Sequence, residues 1–533
     1  MARSEATAST GAGTRRLLMG MALASGITSV PNAAIVLALP TIHRHFDASL
    51  TELQWTVTGY LLAYSALLIA AGRLADVFGR VRLLKWGTVL YGVASIPAAL
   101  AGSATVLIVG LVAVGIGAAV LTPASLAIVT NSFRGERRGM AVGVWGASTA
   151  LFSGIGPAIG GVLTQEVSWR WILWLNVIIA VLILAGVRGA TESFDEEATH
   201  RIDYTGLALS AAGLGAITLA LNESPTPWAV GSPTFVLVLV AGVVLLTGFA
   251  LVERSLRDPL IDLKMFRRRN VTGASIVVFV LDFAFGAVLF FLPLYLEELL
   301  GYDALKAGLL LLPSSVTMMI AMPIGGRLFE RLGPVPPIVG GMALSGIAML
   351  MLSGISSSTH YADLWPPLAL LGVGIGAALT PMNLAALNAT APRHHGAVAA
   401  IITTLGGLGA TFGVALSGAV FESLQTDRTV SAADAAGVHL SHSTASTLDG
   451  LLAGTPSAQQ ALNTFPASEH ASLMASVRHG FISALGTTME LSFVLVVVGI
   501  VLTLLLIRSQ APQESALPRP NMADPFSGLA PRP

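Results

Sequence analysis

Apolar residues run along this chain in stretches of about twenty, the length a helix needs to cross a bilayer, and short turns rich in Arg, Gly and Pro separate them. The runs fall near 17–40, 52–72, 83–102, 105–131, 138–164 and 171–189, then 205–221 and 232–252. Six more follow near 271–297, 306–328, 336–354, 364–390, 396–421 and 481–507. The pattern predicts an all-α polytopic membrane protein with fourteen transmembrane helices. The first run follows Arg15-Arg16, is a full span long and shows no small-residue cleavage site, so it reads as a retained helix.

Composition narrows the class without changing it. Of 533 residues, 54% are hydrophobic and 11% charged, against about 25% charged in soluble chains, and the mean hydropathy is +0.76. Net charge is zero, so nothing global points to nucleic acid. The absence of cysteine removes disulfides, thiolate metal sites and cysteine nucleophiles together. No metal-ligand, cofactor or catalytic constellation stands out, and an enzyme is not expected. The basic residues are nearly all Arg, with Lys at 85, 264 and 306, a usage typical of high-GC bacterial genomes. A bacterial inner (cell) membrane is the expected home.

Orientation follows from the cations. Arg73–Lys85, Arg134–Arg138, Arg254–Arg269, Arg327–Arg331 and Arg393 share one set of turns; the alternate short turns hold Arg44, Arg170 and Lys306. The Arg-rich side is expected to be cytoplasmic, with both termini. The chain then divides into a cytoplasmic tail (1–16), a six-helix bundle (17–189) and two additional spans (190–253). After these come five spans of a second bundle (254–421), a long extracytoplasmic loop (422–480), the last span (481–508) and a Pro-rich tail expected to be disordered (509–533).

Two stretches recur at an offset of about 255. Gly72-Arg-Leu-Ala-Asp76-Val-Phe-Gly79 is similar to Gly326-Arg-Leu-Phe-Glu330-Arg331-Leu-Gly333. Gly115-Ile-Gly117-Ala-Ala, with Thr122-Pro123, is similar to Gly374-Ile-Gly376-Ala-Ala, with Thr380-Pro381. Two parallel halves around a central cavity are a known transporter plan. The Gly372/Gly374/Gly376 and Gly406/Gly407/Gly409 clusters lie inside apolar runs, without a preceding strand or a Gly-x-x-x-x-Gly-Lys-Ser/Thr motif, so ATP is not an expected ligand.

At these residues the chain resembles the major facilitator superfamily, specifically its fourteen-span drug:proton antiporter (multidrug efflux) branch, over roughly residues 15–510. Trp55-Thr-Val-Thr-Gly-Tyr60 leads into the Gly72–Arg80 turn; Gly156-Pro157-Ala-Ile-Gly160-Gly161 precedes Trp169-Arg170-Trp171 and Asn176; Pro259-Leu-Ile-Asp and Tyr302 with Ala307-Gly308 continue the pattern. The resemblance implies two six-helix bundles plus two extra central spans. It also implies a gating turn at Gly72, Asp76, Gly79 and Arg80, mirrored by Gly326, Glu330 and Arg331. Gly154, Gly156, Pro157, Gly160 and Gly161 would form the kinked antiporter-motif helix that seals one half against the other.

The family pattern breaks at its polar positions. Pro31 stands where the first-span Asp belongs and Val36 where an Asn is usual; the fourth-span Arg and Gln align with Leu111 and Val114, and the thirteenth-span Arg with Gly406. Two intramembrane carboxylates, Asp282 and Glu490, are the candidates for proton coupling instead, because a charge at a helix centre is expensive and tends to be functional. Asn32, Trp145, Phe279, Phe283, Asn383 and Asn388 are weaker candidates for the substrate cavity, each equally suited to packing. The expected activity is export of a hydrophobic or amphipathic small molecule with protons as the second partner, by a monomer in the lipid bilayer. An uncoupled lipid flippase or facilitator, and a non-transporting sensor or scaffold, remain as alternatives.

Overall fold

The computed structural model describes residues 10–133, 136–192, 203–222, 232–256, 263–390 and 395–507. Each of the fourteen apolar runs falls on helix, and no strand occurs among the described residues. The first half comprises α1 (Thr10–Ile27), the short α2 (Val30–Ile35) and α3 (Leu39–Phe46), then α4 (Leu50–Phe78), α5 (Arg80–Ala99), α6 (Ala104–Ser132), α7 (Glu136–Glu166) and α8 (Arg170–Gly186). Between the halves lie α9 (Tyr204–Asn222) and α10 (Pro233–Ser255). The second half comprises α11 (Arg269–Leu294), α12 (Ala304–Leu332), α13 (Val335–Ser353), α14 (Tyr361–Asn388) and α15 (His395–Ala435). It continues through α16 (His442–Leu448) and α17 (Pro456–Leu462) to α18 (His470–Leu506). Nine of the described helices are long and apolar enough to cross a membrane, or ten when the two arms of α7 count as one span.

The first run is broken, and Pro31 is the reason. Proline has no N–H for the carbonyl four residues earlier, which is that of Ile27, where α1 ends. Two phenols occupy the gap: Tyr91 donates to the Ile27 carbonyl at 3.3 Å and Tyr60 to the Thr28 carbonyl at 2.5 Å. A helix break inside a membrane is tolerable when neighbours re-satisfy the backbone in this way.

The halves repeat each other in packing as well as sequence. In the first, α6 lies between α4 and α5, and α1 packs on α7 and α8; in the second, α14 lies between α12 and α13, and α11 packs on α15 and α18. Glycines set the distances. Side chains at Gly115 and Gly117 would meet Tyr60 of α4 and Tyr91 of α5; at Gly372 and Gly374 they would meet Ser314 of α12 and Ser345 of α13. Tyr60 and Tyr91 precede Ser314 and Ser345 by 254 positions, as Gly72 precedes Gly326. The structural counterpart of Gly115–Gly117 is therefore Gly372–Gly374, two residues earlier than the Gly374–Gly376 pairing read from sequence. Three glycines on alternate positions make both registers plausible until their partners are seen.

Residues 422–480 are not the loop expected from their polar composition. At 1.5 Å per residue, the 41 residues of α15 and 37 of α18 reach about 61 and 55 Å, well beyond a hydrocarbon core of about 30 Å. Their projecting ends, with α16 and α17, enclose a small core of Ala433, Val438, Ala445, Leu448, Ala458, Leu473 and Val477. The Ser441 hydroxyl accepts from the Thr444 N–H at 3.1 Å and starts α16, and Pro456 opens α17. Short polar helices of this kind carry too little apolar periodicity to be read as elements.

Candidate functional site

The turns of the repeated motif close directly from one helix into the next. Gly79 (φ 99°) joins α4 to α5 and Gly333 (φ 77°) joins α12 to the start of α13, a backbone region that favours glycine. Glu192 fixes the first turn: its carboxylate accepts the N–H groups of Val81 at 2.8 Å and Arg82 at 2.9 Å, at the positive end of α5. Sequence reading passed over Glu192, since one acid in a polar connection gives no signal of the helix it caps. Gly72 faces Pro123, and Gly326 faces Thr380. Arg80 is half-buried, while Glu330 and Arg331 are exposed. The side chain of Asp76 lies outside the described residues.

At the opposite end the halves are joined along α7 and α12. The arms Val144–Ser153 and Ile155–Glu166 of α7 meet at 46°, one turn before Pro157, where a proline removes a hydrogen bond and crowds the backbone. Gly154 sits at that break, its surroundings outside the described residues; Gly156 is buried. Gly160 presses on the Ala34 backbone of its own half. Gly161 and Gly308 press on the other half: a Cβ on Gly161 would lie 2.6 Å from the Ala304 carbonyl oxygen, and one on Gly308 would lie 2.7 Å from that of Pro157. His43 Nδ1 and Glu298 Oε1, 2.9 Å apart, bridge the halves beside this contact with 13% and 7% of their side chains exposed. Neither residue was marked by the sequence, because both stand at helix ends where polar residues are ordinary.

The second seam, between α15 and α4, is the counterpart of the first under the repeat. Position 308 on α12 corresponds, 254 earlier, to Gln54 on α4, and Gln54 packs against Gly418 of α15. Gln54 is fully buried, and neither amide atom has a hydrogen-bond partner among the described residues. Further along, Ser65 of α4 packs against Gly407.

Asp282 is half-buried midway along α11. Its carboxyl group fills the space that any side chain at Gly406 would need, so α11 and α15 meet there through the Asp282 side chain. The carbonyls of Phe279 and Phe283 are covered by Gly409 and Gly413, and Phe279 lies 6.0 Å from Phe412, centroid to centroid. Ser275, two turns earlier on the same face, is buried with no partner for its hydroxyl among the described residues. These residues form one group. Trp145 belongs to a second, donating its indole N–H to Ser125 at 3.0 Å near Thr149 and Ser25. Asn383 donates to its own helix at Leu379, 2.9 Å away. Glu490 is exposed along α18 and Asn388 is exposed at the end of α14, and both stand outside these groups. The side chain of Asn32 lies outside the described residues.

A model of the Major Facilitator Superfamily matches residues 21–414. A puromycin resistance protein of Streptomyces alboniger is 34% identical over 401 residues, 74% of this chain and 79% of that protein. A multidrug transporter of Bacillus subtilis is 24% identical over 92% of each chain. Among solved structures, a bacterial homologue of the human lysosomal transporter Spinster superposes with a TM-score of 0.65 at 14% identity, covering 94% of this chain and 99% of that one.

Proposed function

Because the chain belongs to the major facilitator superfamily, we propose that it is a secondary exporter moving a hydrophobic or amphipathic small molecule out of a bacterial cell by alternating access, driven by proton antiport. It is a multi-pass membrane transporter and not an enzyme. In this reading fourteen helices span the membrane, and the termini and the Gly79 and Gly333 turns are cytoplasmic. The α7–α12 contact is then the closed extracytoplasmic side.

One observation carries the coupling. Asp282 stands half-buried at mid-helix, on a helix of one half, with a glycine in place of a cation opposite it. A carboxylate there binds a proton or a cationic substrate but not both, and that exclusion links the two fluxes. One proton crossing about 100 mV supplies about 2.3 kcal/mol, equivalent to about fifty-fold accumulation. Uncoupled transport is the second reading, favoured by the fully buried apolar Leu111 and Val114 at the family's polar positions.

Proteoliposomes separate the two. Under the first reading a panel of dyes and antibiotics elicits proton movement with wild-type protein, and Asp282→Asn abolishes it together with uphill accumulation while downhill exchange survives. Uphill accumulation by Asp282→Asn removes Asp282 from coupling; transport without proton movement in the wild type establishes the uncoupled reading. Topology has its own test in this cysteine-free chain. Ser443→Cys is expected to react with an impermeant thiol reagent in intact cells and Ser4→Cys only after lysis.

A further inference from the structure

The α4–α15 seam carries an excess of unpaired polarity. Among the described residues, buried side-chain atoms without a hydrogen-bond partner on these two helices include Gln54 Nε2 and Oε1, Ser65 Oγ, Thr404 Oγ1 and Ser417 Oγ. On α7 and α12 there is one, Thr164 Oγ1. Buried hydroxyls are normally bonded, and each exception calls for a reason. Ser65 and Thr404, from opposite halves and at least nine-tenths buried, share a cavity of about 160 Å³. Apart from Ser210, whose hydroxyl donates to the Leu207 carbonyl at 3.1 Å, its remaining wall is apolar, chiefly Ala66, Leu207, Leu214, Phe249, Ile401 and Leu405, and no charged side chain lines it among the described residues.

The cavity's outer wall is the α9–α10 hairpin. Helix α9 packs on both α4 and α15, so it bridges the halves, whereas α10 packs chiefly on α9 and leaves Leu237, Val240, Val244 and Leu251 exposed to the surroundings. A neutral solute dissolved in the bilayer meets this hairpin first.

We propose that this cavity is a side site for an uncharged, largely apolar solute bearing one hydrogen-bonding group, entered from the bilayer past the α9–α10 hairpin. The walls exclude an ion, since burying a charge without a partner is prohibitive. An acyl chain fits the walls but leaves both hydroxyls unpaired, whereas a single polar group on the solute pairs with Ser65 and Thr404, each able to donate and accept. A solute bonded to both halves binds one arrangement of the seam better than the other and so shifts the conformational equilibrium. The site differs from the Asp282 group, and its test does not depend on proton coupling.

A single cysteine, Ser210→Cys, on the cavity's α9 wall reports occupancy by its rate of alkylation with N-ethylmaleimide in the purified full-length protein. Indole is the probe, with indene as its isostere lacking the N–H and indole carboxylate as its anionic analogue. Indole is expected to protect at concentrations about three-fold lower than indene, the size of one hydrogen bond, and the carboxylate is expected not to protect. Ser65→Ala with Thr404→Val should bring indole down to the level of indene. Equal protection by indole and indene in the parent, no protection by either, or protection by added phospholipid alone overturns the assignment. If Ser210→Cys is poorly recovered, Leu207→Cys on the same wall gives the same readout.

Discussion

The two seams between the halves occupy equivalent places in the repeat and are built from opposite materials. Along α7 and α12, Gly161 and Gly308 let backbone meet backbone, and almost nothing polar is left over. Along α15 and α4, Gln54 fills the place of Gly308, and a row of unpaired side chains follows it. A glycine contact is short-range dispersion, gained only at full closure and forfeited by a small gap. Unpaired buried dipoles act in the other direction, because they recover hydrogen bonds with water or solute when the helices part. If the seams open and close as the proposed transport cycle requires, the glycine seam acts as a clasp and the polar one as a door.

The largest expected effect comes from making the clasp resemble the door. Gly308→Gln places a side chain 2.7 Å from the Pro157 carbonyl, and overpacking of this kind costs about 1–3 kcal/mol. Export should fall at least about ten-fold, with membrane insertion and gel-filtration profile unchanged. Wild-type rates would mean that the α7–α12 contact is incidental. The converse change is Gln54→Leu, which removes a buried unpaired amide worth about 1–3 kcal/mol. Thermal unfolding in detergent should rise by a few degrees while turnover slows. A lower melting temperature would show that the amide has a partner in another state.

A smaller effect tests the polar bridge beside the clasp. His43→Gln, Glu298→Gln and the double variant form a cycle on the closed state, read from cross-linking of a cysteine pair at Gln165 and Tyr302. A coupling of about 1 kcal/mol is expected for a part-buried hydrogen bond, and additive effects would dismiss it. The smallest effect lies in the folded cap beyond α15. Burial pushes the Asp449 carboxyl up to about 7 from an ordinary 3.8, although Thr426 at 2.9 Å and Thr429 at 3.1 Å donate to it and oppose the rise. The folded cap therefore holds that proton more tightly than the unfolded chain does. The stabilisation is complete below the ordinary carboxylate range and is lost as pH rises through about 7. Asp449→Asn should flatten this fall, as followed by proteolysis of the cap between pH 4 and 8.

The helices and the repeat were legible because apolar runs of membrane length and glycines at fixed spacing leave few alternatives. Gly160 and Gly161 were legible as close-packing residues, though not their partners: adjacent glycines on α7 face different halves, a fact that only the register of α7 against α2 and α12 decides. Asp282 was legible as an expensive charge, but its contact with Gly406, more than a hundred positions away, depends on how α11 and α15 are rotated. Hydropathy weighed Glu490 and Asp282 alike; rotation of α18 turns the first outward. The bonds of Glu192 and His43 span 111 and 255 positions, and nothing local distinguishes a polar helix end that docks from one that is merely solvated.

Helix α15 runs without interruption from His395, through the door, to Ala435 in the cap. A continuous helix is a stiff lever, and from Thr411 outward it extends for about 36 Å at 1.5 Å per residue. A tilt of about 10° at the seam, within the range membrane helices adopt, would carry its tip sideways by about 6 Å. In the orientation proposed above, each transport cycle would then be written on the outer surface of the cell as a displacement large enough for a fluorophore to follow. Any molecule that grips the cap from outside would hold the door by its handle, without entering the membrane.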